Sequence, residues 1–382
     1  MEAKVFNGIN PSFFCIAVNV GSCFEQKKNN GISHLIEHVV MADSRVKRIA
    51  QSCHVDAITT KEWTYYLIVD NVPGELYSKL EDFISGIFDS ELLSDVVAIE
   101  KRIVISELSE RSTFSQYYQI INLHMHNGST YSLPTGGEPE AIYHISTKEL
   151  RQYYQESYLN GRRIGIYCSD PKLKEMGVEI IEKYIYLSKP FNKPHGGFMP
   201  SSLHSIIDSK QTTLVLANLA FSPDKTTKEK MYLLMDYFTG KDGLLQEAVR
   251  TRFFLYFFEQ ICSVYDNHIL IGVGTRIKNE SVNDYLTILK HTIDRVICSK
   301  DMIVDALNNR KKIYIINKSC NIVNLMERIR WENEINSSLT ENDEFIDIND
   351  EEAKLIQACF DVSLWKTVVF SNQEIIKGLK ME

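Results

Sequence analysis

The decisive stretch of the chain is Gly31-Ile32-Ser33-His34-Leu35-Ile36-Glu37-His38-Val39-Val40. On a helix, residues four apart share one face, so the imidazoles of His34 and His38 would point to one place. Glu37 borders that face. Two imidazoles beside a carboxylate are typical of a catalytic zinc site, which has three protein ligands and one position open to water. A carboxylate that is not itself a ligand can then take the proton of that water.

The order H-x-x-E-H is a signature of zinc peptidases, but a simpler interpretation fits the same residues. A buried helix can carry two histidines that are hydrogen-bonded to the backbone and bind nothing. The other positions of this helix are apolar and favour burial: Ile32, Leu35, Ile36 and Val39. The motif therefore needs a third ligand and a suitable scaffold elsewhere in the chain.

Length and composition are those of a globular protein with two or three domains. The chain has 382 residues, of which 44% are hydrophobic and 24% are charged, and a net charge of -8. The acidic balance argues against nucleic acid as the main partner. No apolar run reaches the roughly 18 residues that a membrane-spanning helix needs.

The eight cysteines indicate a reducing compartment. They are scattered and contain no C-x-x-C pair, which fits reduced thiols better than a disulfide framework or a cysteine-based zinc site. The N-terminal residues 1–8 lack the basic and then apolar layout of a signal peptide. We therefore expect a cytoplasmic protein.

The regions on either side of the motif predict a mixture of strands and helices. Residues 12–20 are rich in β-branched and aromatic side chains and predict a strand before the motif helix, and residues 55–69 predict a strand or hairpin after it. Helical spacing follows at residues 76–88 and 94–108. The motif therefore belongs to a domain of the α+β class.

The second of these predicted helices carries two glutamates on one face. Glu100 and Glu107 are seven residues apart, which is two helical turns, with Ile103 and Val104 between them. From spacing alone, a solvated carboxylate face is the default interpretation. The arrangement is nevertheless unusual for a plain amphipathic helix, and a functional interpretation stays open.

Residues 189–200, with three prolines and the pair Gly196-Gly197, form the best linker in the chain. After it, the order of predicted strands and helices resembles that of the first half. We therefore predict two homologous-looking α/β-sandwich domains, each with an antiparallel-rich sheet covered by helices. Their bounds are 1–192 for the domain with the motif, 193–202 for the linker and 203–382 for the second domain.

Further motifs make the chain resemble the M16 metallopeptidases, the family of insulin-degrading enzyme, pitrilysin and the mitochondrial processing peptidase. The match is good over about residues 18–170 and weaker beyond. The segments that carry it are Gly21 to Glu25 (like A-G-S-R-x-E), Gly31 to His34 (like G-x-A-H), Val55 to Glu62 (like L-N-A-Y-T-S-x-E), Glu100 to Glu107 (like E-R-x-V-I-x-x-E) and Thr135 to Glu138.

The resemblance implies half of an M16 clamshell and assigns roles to residues. His34, His38 and Glu107 would bind Zn²⁺. Glu37 would be the general base for the water, and Glu100 would orient a ligand histidine, as such ligands require.

The resemblance also implies a substrate strand. Asp56, Ala57, Ile58 and Thr59 would form the sheet edge that takes a peptide by strand addition. The family usually has Asn where this chain has Asp56, and the negative charge would disfavour acidic substrates. The first strand before Ser12 is expected to be missing or reduced.

In their second half, family members have an Arg and a Tyr that stabilise the oxyanion. This chain departs from that pattern. Tyr256 fits, but Val249 stands seven residues earlier, so Arg250 replaces the arginine only with a one-residue deletion. Family members of this size pair, and in several pairs one subunit supplies zinc and the other supplies the Arg and Tyr. We therefore expect a heterodimer with a second M16-like chain, with a homodimer as the alternative.

These implications predict a zinc-dependent endopeptidase subunit. It would hydrolyse small or unfolded peptides, such as a leader or precursor peptide, inside a chamber formed with the partner. The alternative is a non-catalytic M16-like assembly or peptide-binding subunit. The complete ligand set argues against this alternative, because inactive members usually lose it.

Overall fold

The computed structural model describes residues 1–6, 11–110, 113–160, 163–185, 196–221, 224–240, 242–253, 259–320, 325–334 and 345–379. The chain divides into two units, Met1–Phe198 and Met199–Glu382. The predicted linker, residues 193–202, spans this division.

The first unit contains a sheet and a set of helices around one hydrophobic core. Its described strands are β1 (Glu2–Val5), β2 (Ser12–Val18), β3 (His54–Thr59), β4 (Thr64–Asp70) and β5 (Ile164–Cys168). Its described helices are α1 (Ile32–Met41), α2 (Ser44–Ile49), α3 (Pro73–Phe88), α4 (Ser94–Ser109), α5 (Thr113–Met125), α6 (Pro139–His144), α7 (Thr147–Tyr154) and α8 (Pro171–Glu182). Helix α7 continues as a π-helix, Gln155–Leu159.

The strand order in the first sheet is β1-β5-β2-β4-β3. Strand β1 is parallel to β5, and the other neighbours are antiparallel. Every residue of β2 is buried, as expected for a central strand that is rich in β-branched and aromatic side chains. Strand β3 lies at the edge, and α1 packs against it.

The second unit repeats this plan around its own core. Its described strands are β6 (Leu203–Ile206), β7 (Gln211–Phe221), β8 (Glu259–Val264), β9 (His268–Lys278) and β10 (Lys366–Ser371). Its described helices are α9 (Lys225–Thr239), α10 (Leu244–Phe253), α11 (Val282–Ile297), α12 (Lys300–Cys320), α13 (Leu325–Glu334), α14 (Asp350–Phe360) and α15 (Gln373–Gly378).

The second sheet has the order β6-β10-β7-β9-β8, with one parallel pair, β6 and β10, at the same end as in the first sheet. The remaining neighbours are again antiparallel. The two sheets therefore share one topology, and the predicted fold class, α+β with two similar sandwich units, is confirmed. None of the helices in the described ranges combines the length and apolarity that crossing a membrane requires.

The strand before Ser12, which was expected to be missing or reduced, is present as the four-residue strand β1. Helix α8 begins at Pro171 because Asp170 caps it by accepting from the N–H groups of Lys172 and Leu173. Proline at the first helical position after an aspartate cap is a strong start signal.

Candidate metal centre

Helix α1 begins after a glycine in the left-handed conformation. Gly31 has a φ of 99°, which residues with a Cβ rarely adopt. A Cβ on Gly31 would lie 2.8 Å from the side chain of Ile142 and 2.9 Å from the Cα of Gly137. The two glycines therefore pack backbone to backbone, and this contact brings the segment around Gly137 against the start of α1.

The first N–H groups of α1 are satisfied by the buried carboxyl group of Glu25. Its Oε2 accepts from Gly31 N and from Asn30 Nδ2, both at 2.7 Å, and its Oε1 accepts from Ser33 N at 2.9 Å. Burial raises the pKa of this carboxyl, while these donors act in the opposite direction. Glu25 thus fixes the start of the helix that carries His34 in its first turn.

Three side chains from two helices converge at one point. Nε2 of His34 lies 3.7 Å from Oε2 of Glu107, and Nε2 of His38 lies 3.3 Å from the same oxygen. One donor atom from each residue lies within 4.8 Å of the other two. In the part of the chain that the structure describes, no other group of three His, Cys, Asp or Glu side chains comes together in this way.

This donor set fits a zinc ion. Two imidazole nitrogens and one carboxylate oxygen are common ligands of catalytic zinc, and ligand bonds near 2.0–2.1 Å in a tetrahedron separate ligand atoms by about 3.4 Å. The distances of 3.7 and 3.3 Å to Glu107 are close to this value. Only small side-chain adjustments are needed for His34, His38 and Glu107 to share one ion.

The second nitrogen of each imidazole also has a partner. Nδ1 of His34 lies 3.3 Å from the carbonyl oxygen of Gly136, and Nδ1 of His38 lies 3.3 Å from Oε2 of Glu100. Both acceptors hold the hydrogen on Nδ1, which leaves the lone pair of Nε2 facing the cluster. Such partners fix the tautomer and orientation of histidine ligands.

Glu37 lies beside the cluster and is 7% exposed. Burial raises the pKa of its carboxyl to about 7, aided by the nearby charge of Glu107 and opposed by a hydrogen bond from Thr59. That bond joins Thr59 Oγ1 to Glu37 Oε2 at 2.5 Å. A carboxyl with a pKa near neutrality can both accept and release a proton.

The predicted substrate strand, Asp56 to Thr59, belongs to β3. Among the described residues only β4 pairs with β3, so its other edge faces away from the sheet. The strand ends beside the cluster, because Thr59 contacts Glu37. Near the middle of the strand, the carboxylate of Asp56 accepts from the N–H of Ala57 at 2.9 Å.

The oxyanion residues predicted from the sequence are Arg250 and Tyr256. Tyr256 lies outside the described residues, and so does the side chain of Arg250, whose backbone belongs to α10. Their neighbour Val249 is fully buried in the core of the second unit.

Sequence reasoning gave no role to three groups that shape the site: the Glu25 carboxyl, the Gly136 carbonyl and the Thr59 hydroxyl. The first two lie in motifs that match the family pattern, and that match is the feature of the sequence that could have indicated them. The contact of Thr59 with Glu37 joins residues 22 positions apart, and no local pattern in the sequence indicates it.

A model of the insulinase family, peptidase family M16, matches residues 10–132 of this chain. The matched segment contains both histidines, Glu37, Glu100 and Glu107.

The relatives that match part of the chain include two from a yeast and a bacterium. The probable mitochondrial-processing peptidase subunit beta of Schizosaccharomyces pombe is 23% identical over 254 residues, which cover 61% of this chain and 52% of that protein. The uncharacterized zinc protease YmxG of Bacillus subtilis is 27% identical over 170 residues, which cover 40% of this chain and 41% of that protein. The chain therefore spans about half or less of the length of each relative.

A solved structure matches nearly the whole chain. It is a peptidase M16 inactive domain from Pseudomonas fluorescens, with a TM-score of 0.78 and 14% identity over 97% of this chain and 95% of that chain. At this level of identity, the likeness establishes the fold alone.

Proposed function

Because the chain belongs to the insulinase family of peptidases, family M16, we propose that it is a cytoplasmic, zinc-dependent endopeptidase subunit that acts on small or unfolded peptides. One observation carries this proposal: His34, His38 and Glu107 converge from two helices, with the buried carboxyl of Glu37 beside them.

His34, His38 and Glu107 would hold Zn²⁺ through the atoms that face one another. The ion would supply Lewis acidity, polarising the scissile carbonyl and acidifying a water molecule. Gly136 and Glu100 keep the two imidazoles in the tautomer and orientation that this requires.

Glu37 is the general base in this proposal. It takes a proton from the attacking water and then delivers that proton to the amine that leaves. The raised pKa of its buried carboxyl fits a group that must accept and release a proton in one cycle.

The edge of β3 would bind the substrate by strand addition, through residues Asp56 to Thr59. Only an extended backbone can add to a sheet edge, so the substrate class is short or unfolded peptides, of which a leader or precursor peptide is an example. The C-terminal end of the strand would bring the scissile bond close to Glu37.

A partner chain would complete the enzyme. The relative from Schizosaccharomyces pombe is described as a subunit, and the oxyanion residues proposed from the sequence, Arg250 and Tyr256, depart from the family pattern. We propose a heterodimer in which a second M16-like chain closes the chamber and supplies oxyanion stabilisation. A second copy of this chain is the alternative.

A non-catalytic role is the second candidate function, since the fold is also that of an M16 inactive domain. A subunit without catalysis has no need of a third ligand and oriented imidazoles. The complete donor set of His34, His38 and Glu107 therefore favours the peptidase.

The test measures zinc content and cleavage of a fluorescent library of short peptides by the wild type and by Glu37→Gln, each alone and with a candidate partner chain. We expect one zinc per chain in both proteins and cleavage by the wild type only. Glu140→Gln, an exposed glutamate on α6, serves as the matched control and should cleave normally. Wild type that takes up no zinc contradicts the proposal.

A further inference from the structure

Two buried hydroxyl groups lie in line behind the carboxyl of Glu37. Thr59 Oγ1 donates to Glu37 Oε2 at 2.5 Å and lies 3.3 Å from Thr64 Oγ1. Thr64 Oγ1 donates to the carbonyl oxygen of Val20 at 2.8 Å. Thr59 is 9% exposed and Thr64 is fully buried, so little bulk water competes for these bonds.

Each hydroxyl has a single proton, and this determines which bonds exist together. The proton of Thr64 is committed to the carbonyl of Val20. Thr64 can therefore only accept from Thr59. While Glu37 is a carboxylate, the proton of Thr59 is committed to it, and the bond is charge-assisted and strong.

A pair of tyrosines adjoins Thr64, and one of the two interacts with it. The hydroxyl of Tyr158 interacts with the Thr64 side chain and lies 2.8 Å from the hydroxyl of Tyr66. Both tyrosines are fully buried. Tyr158 lies in the π-helix Gln155–Leu159, a rare conformation that often marks functional positions.

We infer that the Thr59 hydroxyl is a positioning group for the general base, and that Thr64 is the fixed acceptor behind it. This inference rests on the proposed peptidase function. Thr59 holds one carboxylate oxygen of Glu37, so that the other oxygen is available to the reacting water. The role is separate from the backbone of Thr59, which belongs to the edge strand β3.

The same pair suits Glu37 after it has taken the proton from water. A protonated carboxyl can donate to Thr59 Oγ1, and Thr59 can then turn its own proton to Thr64 Oγ1. Glu37 therefore keeps a hydrogen-bonded partner in both states. An unsatisfied polar group in a buried site is destabilising, so a partner that serves both states avoids this penalty.

The test compares Thr59→Val, which keeps the shape of the side chain but has no hydroxyl, with Thr59→Ser, which keeps the hydroxyl. The measurements are kcat, KM, zinc affinity and the thermal midpoint. A further measurement is independent of activity: the ¹³C carboxyl resonance of Glu37 in metal-free protein labelled on glutamate, assigned by its loss in Glu37→Gln.

We expect Thr59→Val to lower kcat by about 10- to 100-fold, the size of effect that partners of metal ligands have, with KM and zinc affinity unchanged. The Glu37 resonance should move in Thr59→Val, and Thr59→Ser should restore both kcat and the resonance. If Thr59→Val does not fold, Thr59→Ala compared with Thr59→Ser carries the same test.

Three results would overturn the inference. The first is wild-type kcat in Thr59→Val, and the second is an equal loss in Thr59→Val and Thr59→Ser, which would indicate packing alone. The third is an unmoved Glu37 resonance, whatever the activity. A different failure is possible, in which the resonance moves as expected but the wild-type protein cleaves no peptide. This result would contradict the proposed peptidase function, and the role inferred for Thr59 would fall with it.

Discussion

The imidazole of His38 and the carboxylate of Glu100 lie within hydrogen-bonding reach, with Nδ1 and Oε2 3.3 Å apart. The other nitrogen of the same ring, Nε2, lies 3.3 Å from Glu107. Glu100 and Glu107 belong to one helix, α4, two turns apart. One helix therefore contributes both a proposed metal ligand, Glu107, and the carboxylate of Glu100 that contacts another proposed ligand, His38.

Substitution of Glu100 should weaken metal binding without removing a ligand. We expect Glu100→Ala to lower zinc affinity by about 10- to 100-fold, because outer partners of histidine ligands typically contribute this much. Glu100→Gln should lose less, since its carbonyl oxygen still accepts from Nδ1 but has no charge. Competition with a chromophoric chelator measures both.

Glu110→Ala is the control for Glu100, because Glu110 is an exposed glutamate at the end of the same helix. Its zinc affinity should match that of the wild type. If the zinc affinity of Glu100→Ala also equals that of the wild type, the contact of Glu100 with His38 does not support metal binding.

Loss of the Glu25 carboxylate should destabilise the first unit. Glu25→Gln replaces one acceptor oxygen with an amide that faces donors at the start of α1. We expect a loss of about 1.5–3 kcal/mol in the free energy of unfolding, the range for hydrogen bonds to charged groups. Urea denaturation followed by circular dichroism measures it.

Glu138→Gln is the matched control for Glu25, since Glu138 also precedes a helix but makes no capping bond from its side chain. Its unfolding curve should overlay that of the wild type. Equal unfolding free energies for Glu25→Gln and the wild type would contradict the capping role.

The charge of Asp56 should affect substrate choice. Asp56→Asn keeps an oxygen that can accept from Ala57 N–H but removes the negative charge from the edge of β3. We expect kcat/KM to rise roughly fivefold for peptides with an acidic residue next to the scissile bond, which corresponds to about 1 kcal/mol of repulsion. Neutral peptides should be cleaved as before, and an equal rise for both peptide types would refute the charge effect.

Glu259, on the edge strand β8, should make stability depend on pH. Burial raises the pKa of its carboxyl from 4.5 to about 7. Because the pKa of Glu259 is higher in the folded state than in the unfolded state, the protonated carboxyl stabilises the folded state fully at pH values below the unfolded-state pKa. This stabilisation is lost as pH rises from about 4.5 through 7. Glu259→Gln should therefore have a higher thermal midpoint than the wild type at pH 8 and the same midpoint at pH 4.

The control for this pH dependence is Glu280→Gln, an exposed glutamate in the same unit. It should follow the wild type at both pH values. A midpoint difference for Glu259→Gln that is the same at pH 4 and pH 8 would exclude ionisation of Glu259 as its cause.

The sequence predicts the local part of the site well, and helix geometry is the reason. The spacing of His34 and His38 fixes their common face on any α-helix, and the spacing of Glu100 and Glu107 does the same on α4. Only the family resemblance implies that the two helices bring these faces together, because spacing within each helix contains no information on the contact between helices.

Local sequence patterns do not predict contacts between distant segments. The backbone contact of Gly31 with Gly137 depends on how two loops meet, as does the acceptor that Gly136 supplies to His34. Local patterns also do not indicate strands β6 and β10, for a similar reason. They are short, they pair across more than 160 positions, and neither has the alternating pattern of a half-buried strand.

Zinc binding by the metal-free protein tests the central claim most directly. Calorimetric titration of the wild type should show one ion per chain, and His38→Ala and Glu107→Ala should each bind far more weakly. His144→Ala, an exposed histidine on α6, should bind like the wild type. No uptake by the wild type, or unchanged uptake by His38→Ala, would contradict the account.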